Sequence, residues 1–382
     1  MSTDGGATDS AVDAAVWITR LADGPAGRRL AVKDLFDTAG VRTTYGSAVF
    51  ADHVPAATAP AVARLEEAGW VDVGKANLHE FAYGVTSQNL HYGTVPNPAA
   101  PGRTAGGSSG GSAAALLLGE ADGALGTDTG GSIRIPAACC GIAGFKPTYG
   151  LVPADGVFPL APTFDHAGPM ALDVAGCAAL MSELIPGFGV EALASLGEVP
   201  VAVAWLDESQ PEVAAVVERA AAAFPRREAV DLPTAEPIGT LFMREVADVH
   251  RGLYEESAEL YGENVREKIE WCLAVTDAEA ADAARAREEY RELVPRLLGG
   301  ASLLVTPTMG IVPPPADIDE PRERAAFVRF TFPFNALGWP ALALPCGLTD
   351  DGLPVSLQLV GRAGDDELVL AAGLALERVL KG

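Results

Sequence analysis

Three stretches of this chain hold residues that could make and break an acyl bond. AVKDLFD carries Lys33, AGGSSGGSAAA carries Ser108, Ser109 and Ser112, and GTDTGGSIRIPAACCG carries Ser132. The letters GGSSG at 106–110 also fit G-x-S-x-G, the turn that presents a serine nucleophile in α/β-hydrolase esterases. On that reading Ser108 attacks, and Asp165 and His166 supply the later members of the triad. The turn requires a strand running into the serine, whereas the preceding NPAAPGRTA holds two prolines. Adjacent residues also make a poor base and orienting acid, because each role needs its own backbone position.

Ser132 is the stronger nucleophile. ALGTDT reads as a strand end, Gly130 and Gly131 permit backbone conformations closed to other residues, and IRIPAACC starts a helix with Pro136 in its first turn. Successive bare N–H groups at such a turn make an anion-binding nest, suited to the oxyanion formed when Ser132 attacks a carbonyl. The base is harder to find. None of the five histidines, His53, His79, His91, His166 and His250, falls in a metal-binding pattern, and no cofactor or metal is expected. A buried lysine can serve, since burial disfavours the ammonium form and pulls its pKa from about 10.4 toward roughly 7–8. Lys33 lies in the apolar run RLAVKDLF, although on local sequence alone a surface lysine paired with Asp34 or Asp37 is the plainer reading.

Other patterns imitate chemistry. GWVDVGKA at 69–76 approaches a phosphate-binding loop, but Ala76 stands where a Mg²⁺-holding hydroxyl belongs, and Trp70, Val71 and Val73 suit a strand. Cys139 and Cys140 sit in apolar surroundings, and the five cysteines form no C-x-x-C, so no disulfide framework is expected. Asp128 and Arg134 flank the Ser132 turn and read first as an ion pair that fixes the loop.

The elements around these residues alternate. AVDAAVWITRLA reads as a short helix, RLAVKDLF as a strand, TAPAVARLEEAG as a helix with Thr58 as candidate cap, and WVDVGKAN as a strand. SAAALLLG is helical, and VPVAVAWL, ASLLVTPT, PALALPCG and VSLQLVG are further apolar strands. Between 209 and 297 helices dominate, among them TDAEAADAARAREEYRELVPRLL, which opens with a capping box from Thr276 to Glu279. The 382 residues carry a net charge of −24, which makes nucleic acid and anionic membranes unexpected partners. An acidic N-terminus without an apolar core, and no run of about 20 apolar residues, point to a cytoplasmic chain.

Taken together, the stretches resemble the amidase signature family of serine amidohydrolases. AVKDLFD, GKANLHEFAYG, TVPNPAAPGRTAGGSSGGSAAA, GALGTDTGGSIRIPAACCGIAGFKPTYGLV and DHAGPMA follow that family in order from about residue 30 to 172. PFNALGWPALALPCG and GLPVSLQLVG match its C-terminal core. The resemblance implies an α/β fold, a single large domain at 30–382 with a central mixed β-sheet covered by helices on both faces. Within it lie a signature core at 30–172, a helical insertion at about 209–297 and core strands with a helix at 300–382, all after a leader at 1–29.

The resemblance also implies a triad with Ser132 as nucleophile, Ser108 as proton relay after a cis peptide bond from Gly107, and Lys33 as general base. It implies an oxyanion hole from the N–H groups of Thr129, Gly130, Gly131 and Ser132. Ser109 and Ser112 are expected to cap or pack the following helix, with support of Ser108 by a hydrogen bond as the alternative for Ser109. The expected activity is hydrolysis of a small-molecule amide to acid plus ammonia or amine. The expected partners are the amide alone, without nucleic acid or membrane, with a homodimer allowed. The rival within the family is the A-type component of glutamyl-tRNA(Gln) amidotransferase, a glutaminase. Only 32 residues precede Lys33 here and the helical middle is compact, so the family's substrate pocket does not carry over. Phe332, Phe334 and Trp339 read as plain core first, with an apolar acyl pocket as the alternative.

Overall fold

A computed structural model describes residues 15–21 and 26–382. Its thirteen strands are β1 Trp17–Arg20, β2 Arg28–Lys33, β3 Trp70–Ala76, β4 Gln88–Asn89, β5 Gly93–Thr94, β6 Gly123–Asp128, β7 Ala143–Lys146, β8 His166–Ala171, β9 Val201–Val203, β10 Arg227–Ala229, β11 Leu303–Pro307, β12 Ala341–Leu348 and β13 Pro354–Val360. Eleven of them form one sheet in the order β1-β3-β2-β6-β8-β7-β12-β13-β11-β9-β10, and β4 pairs with β5 alone. The sheet is mixed: β3, β2 and β6 run parallel, and the strands from β6 through β8, β7, β12, β13 to β11 pair antiparallel.

Helices cover both faces because the strands present apolar residues alternately. In β11, Leu303 and Val305 join one apolar cluster while Leu304 joins another. The first cluster lies under helices Pro60–Glu67, Val174–Leu184, Pro211–Ala221 and Asp366–Lys381. The second draws in Val246, Ile269 and Val294 from helices Gly239–Ser257, Glu263–Leu273 and Asp277–Leu298. Helix Asp277–Leu298 starts at the capping box read from the sequence, with Thr276 N–H donating to Glu279 Oε2 at 2.9 Å. Among the described residues no helix is long and apolar enough to cross a membrane.

Several local expectations are corrected. Of the stretch expected as a short helix, Trp17–Arg20 is strand β1, because it finds an antiparallel partner in β3; residues 11–14 and 22 lie outside the described residues, as does the acidic N-terminal segment. Helix Pro60–Glu67 is entered through Ala59, and Thr58 Oγ1 instead accepts from Ala39 N–H. Within the helix-dominated middle segment, β10 extends the sheet parallel to β9.

The sheet positions the chemistry at one end. β2 and β6 are parallel neighbours with Val32 opposite Leu125, so their C-terminal ends, Lys33 and Thr127–Asp128, emerge side by side. Both strands are buried in this stretch, which their unbroken apolar runs require of parallel strands covered on two faces. Helix Gly110–Leu117 packs against the same two strands and carries the serine-rich loop to that edge.

Candidate active site

Lys33 closes β2 and is fully buried. Its Nζ lies 2.7 Å from Ser108 Oγ and 2.7 Å from Thr127 Oγ1. Neither neighbouring acid pairs with it: Asp34 accepts from Thr44 N–H and Oγ1, and Asp37 accepts from the Tyr45 hydroxyl. Burial pushes the Lys33 amine down to about 7, against the pull of Asp128 and Asp165. Thr127, which escaped the sequence reading, is the second hydroxyl at this amine; a strand-end threonine beside an aspartate gives no local signal of that contact.

The loop carrying Ser108 is held from beneath. The Gly107–Ser108 peptide is cis. A Cβ on Gly107 would stand 2.7 Å from Ser87 N and 2.9 Å from Thr86 N, a close approach that only glycine permits. The Ser108 carbonyl accepts from His79 N–H and Ser87 Oγ, each at 3.2 Å. Ser109 does not touch Ser108: its N–H donates to the Ser132 carbonyl and its Oγ to the Thr127 carbonyl, tying the loop to the next turn. Ser112 packs the helix against β6 by donating to the Leu125 carbonyl.

Ser132 sits in the turn between β6 and helix Arg134–Cys140, bordering a crevice with Thr129 and Gly130. Its hydroxyl makes no hydrogen bond to Ser108 within the described residues. Gly131 occupies a left-handed backbone with φ of 132°, and a Cβ there would run into Thr331 Oγ1. Of the four expected oxyanion donors, Gly131 is committed elsewhere, since its N–H donates to Asp128 Oδ1 at 2.8 Å. The N–H groups of Thr129, Gly130 and Ser132 take no hydrogen-bond partner among the described residues.

A buried ion pair shapes this turn. Asp128 meets Arg134 through Oδ1 to Nη2 at 2.8 Å and Oδ2 to Nε at 2.9 Å. Burial works against the Asp128 charge, but the Arg134 guanidinium holds its carboxyl well below the usual carboxylate range. The remaining Arg134 donors reach Thr331 O, Gln358 Oε1 and Asn335 Oδ1, and Asn335 Nδ2 returns a bond to Asp128 O at 2.8 Å. These three residues come from the C-terminal strands and helix, and nothing at their positions in the sequence marks them as supports of a turn near residue 130.

The esterase-type arrangement is absent. No strand runs into Ser108, whose side-chain partner is Lys33. Asp165 accepts from Thr129 Oγ1 and from two loop N–H groups. His166 directs Nδ1 at the carbonyls of Phe164 and Asp128, and burial drives its pKa well down, leaving it neutral. The phosphate-loop imitation at 69–76 contains strand β3, with Lys75 buried against Thr38. Phe332 does line the large cavity next to the site, whereas Phe334 and Trp339 belong to the core.

Comparison with known proteins places this geometry. The Amidase family profile matches residues 22–187 and 189–370. The chain belongs to the Amidase family. It superposes on an amidase crystal structure with a TM-score of 0.85 and 37% identity, covering 92% of this chain and 84% of that one. It is 37% identical over 410 residues to the A-type component of glutamyl-tRNA(Gln) amidotransferase from Haloarcula marismortui, covering 93% of this chain and 96% of that relative. The crystal structure of the corresponding component from Thermotoga maritima matches with a TM-score of 0.84 at 30% identity, over 97% of this chain and 88% of that one. As an Amidase family member the protein is an enzyme of amide C–N bonds. The expectation of a small-molecule partner alone is overturned, because relatives that match nearly end to end are named as one component of an amidotransferase whose name includes a tRNA.

Proposed function

We propose that this chain is the amide-hydrolysing, A-type component of a glutamyl-tRNA(Gln) amidotransferase and frees ammonia from glutamine through an acyl-enzyme on Ser132. The near end-to-end similarity to A-type sequences supports the assignment to that assembly. The observation that carries the chemistry is the 2.7 Å contact between a buried Lys33 and Ser108, beside a glycine turn with free N–H groups.

Neutral Lys33 takes the Ser108 proton, and Ser108 takes the Ser132 proton as Ser132 Oγ bonds to the amide carbon. The N–H groups of Thr129, Gly130 and Ser132 receive the oxyanion, each strong donor being worth on the order of 10²–10³ in rate. Gly131 serves the turn instead, by anchoring it to Asp128. The proton returns through Ser108 to the leaving nitrogen, the C–N bond breaks and ammonia departs. Water then attacks the acyl ester by the same relay, giving the acid and free Ser132.

The test is ammonia release from glutamine by this chain, alone and with the other components of a glutamyl-tRNA(Gln) amidotransferase and its charged tRNA. Release should rise with the added components and accompany formation of glutaminyl-tRNA. Ser132→Ala should lower it by roughly 10⁴–10⁶ and abolish labelling by a fluorophosphonate. Efficient turnover of simple amides, with no response to glutamine even in the assembly, would instead make this a free-standing amidase of the family.

A further inference from the structure

The glycines around Ser108 leave room for one side chain. A Cβ on Gly110 would stand 2.4 Å from Ser87 Oγ and 2.8 Å from Ser87 Cβ, and one on Gly107 would stand 2.7 Å from Ser87 N. The atoms nearest both positions therefore belong to Ser87, which is fully buried. Its backbone is left-handed, with φ of 58°, a conformation that a residue with a Cβ keeps only where its surroundings impose it.

The Ser87 hydroxyl enters the serine-rich loop. It donates to the Gly106 carbonyl at 2.9 Å, with the Ser108 carbonyl as a second acceptor at 3.2 Å, and accepts from Gly110 N–H at 3.0 Å. Gly110 opens helix Gly110–Leu117, so its N–H has no partner inside the helix. One hydroxyl thus ties the loop on both sides of Ser108. Ser87 is itself fixed from the other direction. Val95 N–H donates to its carbonyl at 3.1 Å, Val85 N–H donates to Glu320 Oε1 at 3.1 Å, and Gln88 Nε2 donates to the Ala316 carbonyl at 2.6 Å.

We infer that Ser87 is the positioning residue of the proton relay, its hydroxyl setting where Ser108 stands relative to Lys33 and Ser132. The inference rests on the proposed acyl chemistry at Ser132 and not on the identity of the amide. Ser108 works across a 2.7 Å contact with Lys33. Displacing a reacting group by about 1 Å costs on the order of 10² in rate. Without the Ser87 hydroxyl the buried Gly110 N–H loses its partner, which it regains only if the loop moves.

The experiment measures how fast a fluorophosphonate labels Ser132, per competent site counted by titration with the same reagent to completion. Ser87→Ala removes the hydroxyl, and Ser87→Gly removes it while relieving the left-handed backbone. Both should label roughly ten- to a hundredfold more slowly per site, and on any amide turned over should lower kcat with KM held within about twofold. The pH limb set by Lys33 should keep its midpoint. A residue that serves folding alone would lower the count of competent sites and leave the rate per site unchanged. Gly110→Ala covers the case in which neither variant folds: its Cβ drives the Ser87 hydroxyl off the loop, so it too should slow labelling per site. Ser112→Ala, which deletes a buried hydroxyl of the same stretch bonded to the Leu125 carbonyl, should leave that rate unchanged. An unchanged rate per site in the Ser87 variants or in Gly110→Ala, a loss confined to the count of sites, or an equal loss in Ser112→Ala overturns the inference. Labelling that depends on Ser87, with no glutamine turnover in the full assembly, would remove the amidotransferase reading and leave this one standing. Glutamine turnover indifferent to Ser87→Ala would do the reverse.

Discussion

Lys33 and Lys268 are both fully buried, and they have opposite fates. Lys268 meets the Glu320 carboxylate at 2.6 Å and donates to the Tyr83 carbonyl. Burial lowers its pKa, but Glu320 pulls it back up and is itself driven down by the lysine. Lys33 touches only the hydroxyls of Ser108 and Thr127, and falls to about 7. Burial alone does not make a base. The absence of a contacting carboxylate does, because a hydroxyl tolerates the neutral amine whereas an adjacent carboxylate fixes the ammonium.

The comparison can be broken at either end. The largest effect is expected from Lys33→Met, which should lower amide turnover by about 10²–10⁴ while the protein still folds. In the native protein kcat/KM should climb as pH rises, with its limb centred near 7, since Lys33 accepts a proton only in the neutral form that prevails above its pKa. A flat profile between pH 5 and pH 8 would deny Lys33 the role of base. Lys268→Met should act on folding instead, costing about 3–5 kcal/mol by leaving Glu320 buried and unpaired, as read by denaturant unfolding. If Lys268→Met leaves stability unchanged, the contrast between the two lysines is lost. The smallest and sharpest change is Thr127→Asp, which gives Lys33 the carboxylate it lacks. The activity limb should then move upward by about one pH unit or more, making Lys33 behave like Lys268.

Part of this site was legible because its signals are local. A strand end, two glycines, a serine and a helix with proline in its first turn predict the turn around Ser132, and that turn forms. The same local logic misread Trp17–Arg20, whose helical pattern yields to a strand partner in β3. The family resemblance put Gly131 among the oxyanion donors, whereas its N–H is taken by Asp128 three residues earlier. Asn335, which binds the Asp128 carbonyl, is 207 residues away, and no pattern within a window of sequence reaches that far.

The sequence by itself determined the family, the mixed sheet with helices on both faces, and the three stretches that carry Lys33, Ser108 and Ser132, since each rests on residue order and short-range spacing. The tertiary structure decided that Asp34 and Asp37 look away from Lys33, that Thr127 joins it, and that Glu320 is spent on Lys268. Charge state depends on burial and on which groups are brought within a few ångströms. Those contacts are made between segments far apart in the chain, and they exist only once the sheet has formed and its helices are packed.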